Sequence, residues 1–360
     1  MIHLIQKIRH VFHFIALVWA CLGLVPAAVC QAQTTAPIEL RLLNWNEYID
    51  AELLARFGSQ FNAVVKEVYF DDDNTRDDIL VAAEGKGFDL VMVDEVQIDN
   101  YRRRGWLTPL DPAIIPNLRH LDPRWINAAK GAQGYGVPYF WGTLGIGYRS
   151  DLVGEPLTRW RQFFEPAPAL QGKIALSGNS REVVGMALKA LGFSVNSQDL
   201  EQLRAVERLL IAQKPYVRSY DYVSVSDQSD LISGRVVAAM MYNGDALLVQ
   251  QRHPNIVYCV PQEGGGLWVD YLVVMASSTH PKLAMRLINF IHEPENAAHL
   301  AQTFHQATPN RAAEQLLPAD FLANRAIYPD PQTLADSEMQ QPLPPRTVKT
   351  LNRIYANLLK

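Results

Sequence analysis

The sequence predicts an α/β protein of two lobes, and three features carry that expectation. Strand-like and helix-like segments alternate over 38–93, and a second alternating set occupies 152–267. Two apolar runs, 144–148 and 272–275, stand where the chain would leave the first set and return to it. The chain has 360 residues, enough for one large or two medium domains with proper cores. Its composition, 48% hydrophobic and 19% charged, is that of a globular protein and excludes disordered or fibrous classes.

The elements follow in order. A strand over 38–43 runs into Asn44-Trp45-Asn46-Glu47-Tyr48-Ile49. A helix over 50–61 then places Leu53, Leu54 and Phe57 on one face, with Asp50 at its cap. After a strand over 64–70, the acidic stretch Asp71-Asp72-Asp73-Asn74 caps a helix running to about residue 83. The segment 88–93 is almost continuously apolar, as a parallel strand covered on both faces should be. The ends of such strands form a natural ligand crevice. The second unit reads as a strand at 173–176, helices at 182–191 and 200–211, and a strand at 236–241. Helices over 283–292 and 294–304, with the tail to residue 360, would rebuild the first lobe. The expected division is therefore lobe 1 at 36–147 plus 274–360, and lobe 2 at 148–273, joined by a strand hinge with a ligand cleft between them.

Residues 1–30 stand apart. Lys7, Arg9 and His10 form a basic start, 11–25 is almost wholly apolar, and 26–32 is a run of mostly small residues. This is the order of a secretory signal peptide, and its apolar part is shorter than the roughly 20 residues a membrane span needs. Cys21 and Cys30 invite a lipoprotein reading, but Trp19 and Val29 put bulk where lipidation wants small residues. With the leader removed only Cys259 is left, in an apolar strand-like run, where a buried small hydrophobe is expected rather than a reactive thiol. The formal charge of −4, more negative once Lys7 and Arg9 leave, disfavours nucleic acid or an anionic membrane as partner and suits a cationic ligand.

No P-loop, complete dinucleotide fingerprint, HExxH, paired CxxC or GxSxG occurs, so nothing points to an enzyme, a cofactor or a metal. What recurs is aromatic residues beside carboxylates in loops after strands. Trp45, Glu47 and Tyr48 follow the first strand; Tyr242 and Asp245 follow the strand at 236–241; Trp268 and Asp270 follow three glycines. Ammonium groups want this combination, because a carboxylate supplies a charge-assisted hydrogen bond while ring faces attract cations and cover methylenes. Core or interlobe packing is the ordinary reading of each pair alone; their joint occurrence favours a site.

Eight collinear motifs add a resemblance: Asn44-Trp45-Asn46-Glu47-Tyr48, Gly87-Phe88-Asp89-Leu90-Val91, Val137-Pro138-Tyr139-Phe140-Trp141-Gly142, Ser180-Arg181-Glu182-Val183, Tyr242-Asn243-Gly244-Asp245, Gly265-Gly266-Leu267-Trp268-Val269-Asp270, Thr308-Pro309-Asn310 and Tyr328-Pro329-Asp330. Through them the chain resembles the bacterial periplasmic spermidine- and putrescine-binding proteins over almost its whole mature length. The resemblance implies a type II periplasmic-binding fold whose lobes close on a di- or triamine by hinge motion. It also implies site roles. Trp45 and Tyr48 line the ligand from lobe 1, with Glu47 beside them, and Glu182 binds an amine from lobe 2. Tyr242 stands where a tryptophan wall is usual, Trp268 stacks on the aliphatic chain, and Asp270 pairs with an amino group near the centre. Asp245 is similar to the putrescine-type proteins, and Gln340 matches a polar contact of the spermidine type. Departures occur too. Asn179 replaces an aspartate, and an amide accepts a hydrogen bond from an ammonium without neutralising it. Val96 with Gln97, and Gln306, replace tyrosine positions.

The implied partner is an inner-membrane ABC permease, with the protein a periplasmic monomer. Some relatives are instead norspermidine and spermidine sensors that dock on a membrane-bound GGDEF–EAL protein, and the pocket residues do not separate the two. Among other classes, an enzyme would have only Asp245 with Asp270 as an acid pair. A pure interaction protein would have little use for unpaired acids in a closed cleft.

Overall fold

The computed structural model describes residues 36–360; the predicted leader, with Cys21 and Cys30, lies outside the described residues. Among the described residues there are ten strands: β1 (Ile38–Trp45), β2 (Ala63–Phe70), β3 (Leu90–Asp94), β4 (Gly136–Arg149), β5 (Ile174–Ala175), β6 (Val217–Ser219), β7 (Ala238–Tyr242), β8 (Ile256–Cys259), β9 (Gly266–Val274) and β10 (Glu338–Met339). They pair as β2-β1-β3-β9-β4 at one end and β6-β5-β7-β4-β8 at the other. In each set one strand runs antiparallel among parallel neighbours: β9 in the first, β4 in the second.

The two sets share β4. Its first part pairs with β9 from Gly136↔Val273 to Leu144↔Gly266, with an irregularity between Pro138 and Trp141. Its second part pairs with β7 and β8 from Leu144 to Arg149. One 14-residue strand therefore belongs to both lobes, buried at every position but the last. This explains why its second part, 144–148, reads as an apolar run.

Each set carries its own core. Leu40, Leu42, Leu90, Val91 and Val93 join Phe57 and Leu287 in the first. In the second, β7 shows the strand period directly. Ala238 and Met240 face a cluster with Trp160, Val184 and Leu203, while Ala239 and Met241 face another with Val223 and Val249. Helix caps fall where the acids stand: Asp50 accepts from Glu52 N at 2.9 Å, and Asp72 accepts from Asn74 N at 2.9 Å. Cys259 lies in β8, where burial and the nearby Glu263 push its thiol up to about 12, far from reactive.

The tail departs from the sequence reading. Its final helix, Pro345–Leu358, buries Leu351, Ile354 and Leu358 in the second core rather than the first. Tyr355 fixes it there, its hydroxyl hydrogen-bonded to the carbonyls of Ser177 and Tyr220 at 3.0 and 2.9 Å. An amphipathic helix shows which face is buried but not which core receives it. On the way, β10 adds beside β9, and Lys189 holds the same segment by bonds to the Asp336 carbonyl (2.6 Å) and Glu338 (3.0 Å).

Candidate ligand cleft

From lobe 1 the site begins at the end of β1. Trp45 packs its ring on Phe70 with centroids 4.4 Å apart. Glu47 adopts a left-handed backbone, φ 52°, and this tight reversal brings Tyr48 back toward the sheet. Tyr48 sits edge-on to Phe140 at 5.4 Å, and its carbonyl accepts from the Tyr139 hydroxyl at 2.7 Å. Its own hydroxyl donates to Asp270 Oδ2 at 2.7 Å.

From the shared strands come Trp268 and Asp270. In β9 these two are half-buried while Leu267, Val269 and Tyr271 are buried, so the strand turns them both to one face. Gly142 is the cross-strand partner of Trp268, and a Cβ there would collide with the indole and with Asn243 Oδ1. Only glycine lets the indole lie on the shared strand.

Lobe 2 supplies Tyr242 and Asp245, at the end of β7 and in the first turn of the helix Asn243–Arg252, and Glu182, in the first turn of the helix Ser180–Ala190. Tyr242 donates to Glu182 Oε1 at 2.5 Å and stands perpendicular to Trp268, centroids 6.3 Å apart. Tyr222 donates to Asp245 Oδ2 at 2.7 Å and its oxygen accepts from Tyr242 N at 2.8 Å.

The outcome is three carboxylates, each bonded to one phenol: Asp270 with Tyr48, Asp245 with Tyr222, Glu182 with Tyr242. Burial pushes Asp270 up to about 7, with Asp73 and Asp94 adding to the rise against the Tyr48 hydrogen bond and Arg76. Burial likewise raises Glu182 and Asp245, opposed by their hydrogen bonds. The hydroxyls of Tyr48, Tyr222 and Tyr242 are all pushed well up, first by burial, so they stay protonated as donors. Glu182 Oε2, Trp268 Nε1, Asn243 Nδ2 and Gln306 Oε1 are buried without a hydrogen-bond partner. An enclosed set of carboxylates beside ring faces, with no ion pair on Asp270, Asp245 or Glu182 among the described residues, is chemically suited to an organic cation.

Not every expected residue joins the group. Asn179 caps the helix Ser180–Ala190, its Oδ1 accepting from Arg181 N at 2.9 Å, so that oxygen is already engaged. Glu47 is exposed, and Gln340 is half-buried just beyond β10. The sequence reading missed Tyr222, in a loop with no strand or helix signal, and Asp94 and Arg76. Asp94 lies opposite Asp270 in the β3–β9 ladder. Its only sequence signal was a charge ending an apolar run. Among the described residues no helix is long and apolar enough to cross a membrane, and no His, Cys, Asp and Glu group is placed to hold a metal ion.

Residues 52–329 match the family of bacterial extracellular solute-binding proteins. The spermidine/putrescine-binding periplasmic protein of Salmonella typhimurium is 30% identical over 84% of this chain and 86% of its own length. The norspermidine sensor of Vibrio cholerae is 27% identical over 89% of each. The solved spermidine/putrescine ABC transporter substrate-binding protein of Streptococcus pneumoniae superposes with a TM-score of 0.82 at 28% identity, over 89% of this chain and 98% of that one. The fold is thus the type II periplasmic-binding fold, two mixed α/β lobes joined by strands. Members of this family are transport substrate-binding proteins and not enzymes. The chain belongs to the bacterial periplasmic spermidine/putrescine-binding family of ABC-transporter substrate-binding proteins, which includes polyamine-sensing relatives.

Proposed function

We propose that this protein binds a di- or triamine between its lobes in the periplasm and delivers it to an ABC importer in the inner membrane. The observation that carries the reading is the set of three phenol-bonded carboxylates around Trp268, drawn from both lobes and from the shared strands. In this reading the methylenes lie against Trp268, with Trp45 and Tyr48 on one side and Tyr242 on the other. Asp270, Asp245 and Glu182 receive the ammonium groups, and Asn179, Glu47 and Gln340 act at the rim. Because the ligand touches both lobes only when they are closed, it shifts the population toward the closed form that the membrane partner recognises. Relatives named for spermidine, putrescine and cadaverine support the ligand class.

Isothermal titration of the purified, ligand-stripped protein with putrescine, cadaverine, norspermidine and spermidine tests this. Micromolar or tighter binding of one is expected; no heat with any of them rejects it. The likeness to a norspermidine sensor favours a second destination, a membrane-bound GGDEF–EAL protein. Permease and ATPase genes beside this one would support uptake, and a transmembrane GGDEF–EAL gene would support sensing.

A further inference from the structure

Gln306 is buried, and its side-chain oxygen has no hydrogen-bond partner. An acceptor left without a donor in a closed interior costs free energy, so its position marks where a donor is expected. The segment around it is firmly held. Gln306 N donates to the Ala301 carbonyl at 3.1 Å, closing the end of the helix Pro294–Phe304. The next carbonyl, of Ala307, accepts from Trp141 N at 3.1 Å, and that of Thr308 accepts from Trp141 Nε1 at 3.2 Å. Residues 306–308 are thus pinned to β4 one residue before Gly142, on which the Trp268 indole lies.

From there the side chain reaches the helix that carries Asp245. The Gln306 amide lies against Gly244, where a Cβ would collide with the amide nitrogen, so only glycine admits it. Two turns along the same helix face, Gln251 Nε2 lies 2.9 Å from His305 Nε2, and Leu247 between them packs in the first core. Gly244 is the residue before Asp245, in the first turn of that helix. Gln306 therefore stands among three parts of the site. Asp245 follows the glycine its amide touches, the Trp268 wall lies beyond Gly142, and the Tyr48 ring is 6.4 Å from that of Phe304, two residues earlier.

We propose that Gln306 is a specificity-determining residue of the cleft: its Oε1 accepts a second N–H from the ammonium held by Asp245, which makes this end a seat for a primary amine. The inference rests on the polyamine reading above. A primary ammonium has three N–H donors, so it serves the Asp245 carboxylate and the Gln306 oxygen together. A dimethylated nitrogen has one N–H and must leave one of these acceptors unmet. The carboxylate supplies the attraction of opposite charge, and the neutral amide supplies the direction.

The test is calorimetric titration of the ligand-stripped protein with 1,4-diaminobutane, and with its N,N,N′,N′-tetramethyl analogue by displacement of the diamine. Methylating both ends makes the direction of binding irrelevant. Gln306→Met removes the acceptor and keeps the length, and Gln306→Glu keeps an acceptor. Gln306→Met, shown folded by a cooperative melt, should weaken the diamine by about tenfold and leave the methylated amine nearly unchanged, so their affinity ratio narrows about tenfold. Gln306→Glu should keep the wild-type ratio. Equal losses for both amines in Gln306→Met would show a packing role alone and overturn the proposal. If that variant does not fold, or the methylated amine displaces nothing, the crystal structure of the amine complex decides. A nitrogen within about 3.2 Å of both Gln306 Oε1 and an Asp245 oxygen upholds the seat, and one out of reach of Gln306 overturns it. Absence of heat with 1,4-diaminobutane and with spermidine is a different result: it rejects the polyamine reading itself.

Discussion

Asp270 holds its proton near neutrality while lying where a cation is expected, and this ties its ionisation to ligand binding. Burial raises it to about 7, whereas in the unfolded chain it would titrate near the usual carboxylate value. The folded ligand-free protein therefore binds more protons than the unfolded chain between about pH 4 and 7. Its contribution to stability is complete at low pH and is lost as pH rises through 7. The ligand-free melting temperature should be higher at pH 5.5 than at pH 8, and a flat profile would remove Asp270 as the titrating group. An ammonium favours the ionised carboxylate, so amine affinity should change in the opposite sense, falling by up to about tenfold per pH unit below 7. Asp270→Ala should abolish most binding, and near-wild-type affinity would remove Asp270 from the site. Tyr222 is subtler, because its hydroxyl both orients Asp245 and accepts from the Tyr242 amide. Hydrogen bonds to charged groups are worth roughly 1.5–3 kcal/mol, so Tyr222→Phe should weaken the amine by roughly ten- to a hundredfold without unfolding the protein. The aromatic–acid pairs were legible in the sequence because each lies within a few residues. The phenol that completes Asp245 lies 23 residues away and the one that completes Asp270 lies 222 away, so only folding joins them.

Two helices decide how far the lobe 2 surface can be altered. Asn179 caps the helix that carries Glu182, and its capping atom is an oxygen, which aspartate also offers. Asn179→Ala should cost about 1 kcal/mol in a thermal melt. Asn179→Asp should cost nothing, since a carboxylate at a helix N-terminus is favoured by the dipole. If Asn179 also reads the ligand, Asn179→Asp will shift preference toward longer amines, and an unchanged preference leaves it as a cap alone. The final helix carries a larger stake. Ile354 is completely buried in the second core, and Ile354→Ala should lower stability by roughly 2–5 kcal/mol in urea titration. The elements themselves were readable because apolar periodicity is a local property: the sequence placed the helix Pro294–Phe304 correctly and the strand at 38–43 two residues short of Trp45. The destination of the last helix was not readable, since Leu351, Ile354 and Leu358 would suit any apolar surface. Arg76 was hidden for a related reason. Among five aspartates over 71–78 it looks like part of a solvated helix start, and its burial depends on β2 and β3 arriving around it.

At the scale of the whole molecule, closure must pass through the strands both lobes share. Trp268 is the ligand's expected stacking face and also packs on Gly142 of β4, which pairs with β9 at that point. The same contact includes Asn243, the first residue of the helix that carries Asp245. Gly142 thus stands where shared strand, indole wall and lobe 2 meet, and a methyl group there would displace one of them. Displacing the indole would disturb the edge of the first core, against which Trp268 packs, and displacing Asn243 would break the buried bond its Oδ1 accepts from Thr143 N at 3.0 Å. Gly142→Ala should therefore weaken amine binding by more than tenfold and also lower the urea midpoint, while the protein still unfolds cooperatively. In small-angle X-ray scattering the wild type should become more compact on adding saturating amine, and Gly142→Ala should not. A variant that binds weakly yet still compacts would assign Gly142 to the stacking surface alone. A variant that binds and compacts like the wild type would show that lobe closure does not depend on this contact, and the strain would then be absorbed at the irregular β4 step between Pro138 and Trp141.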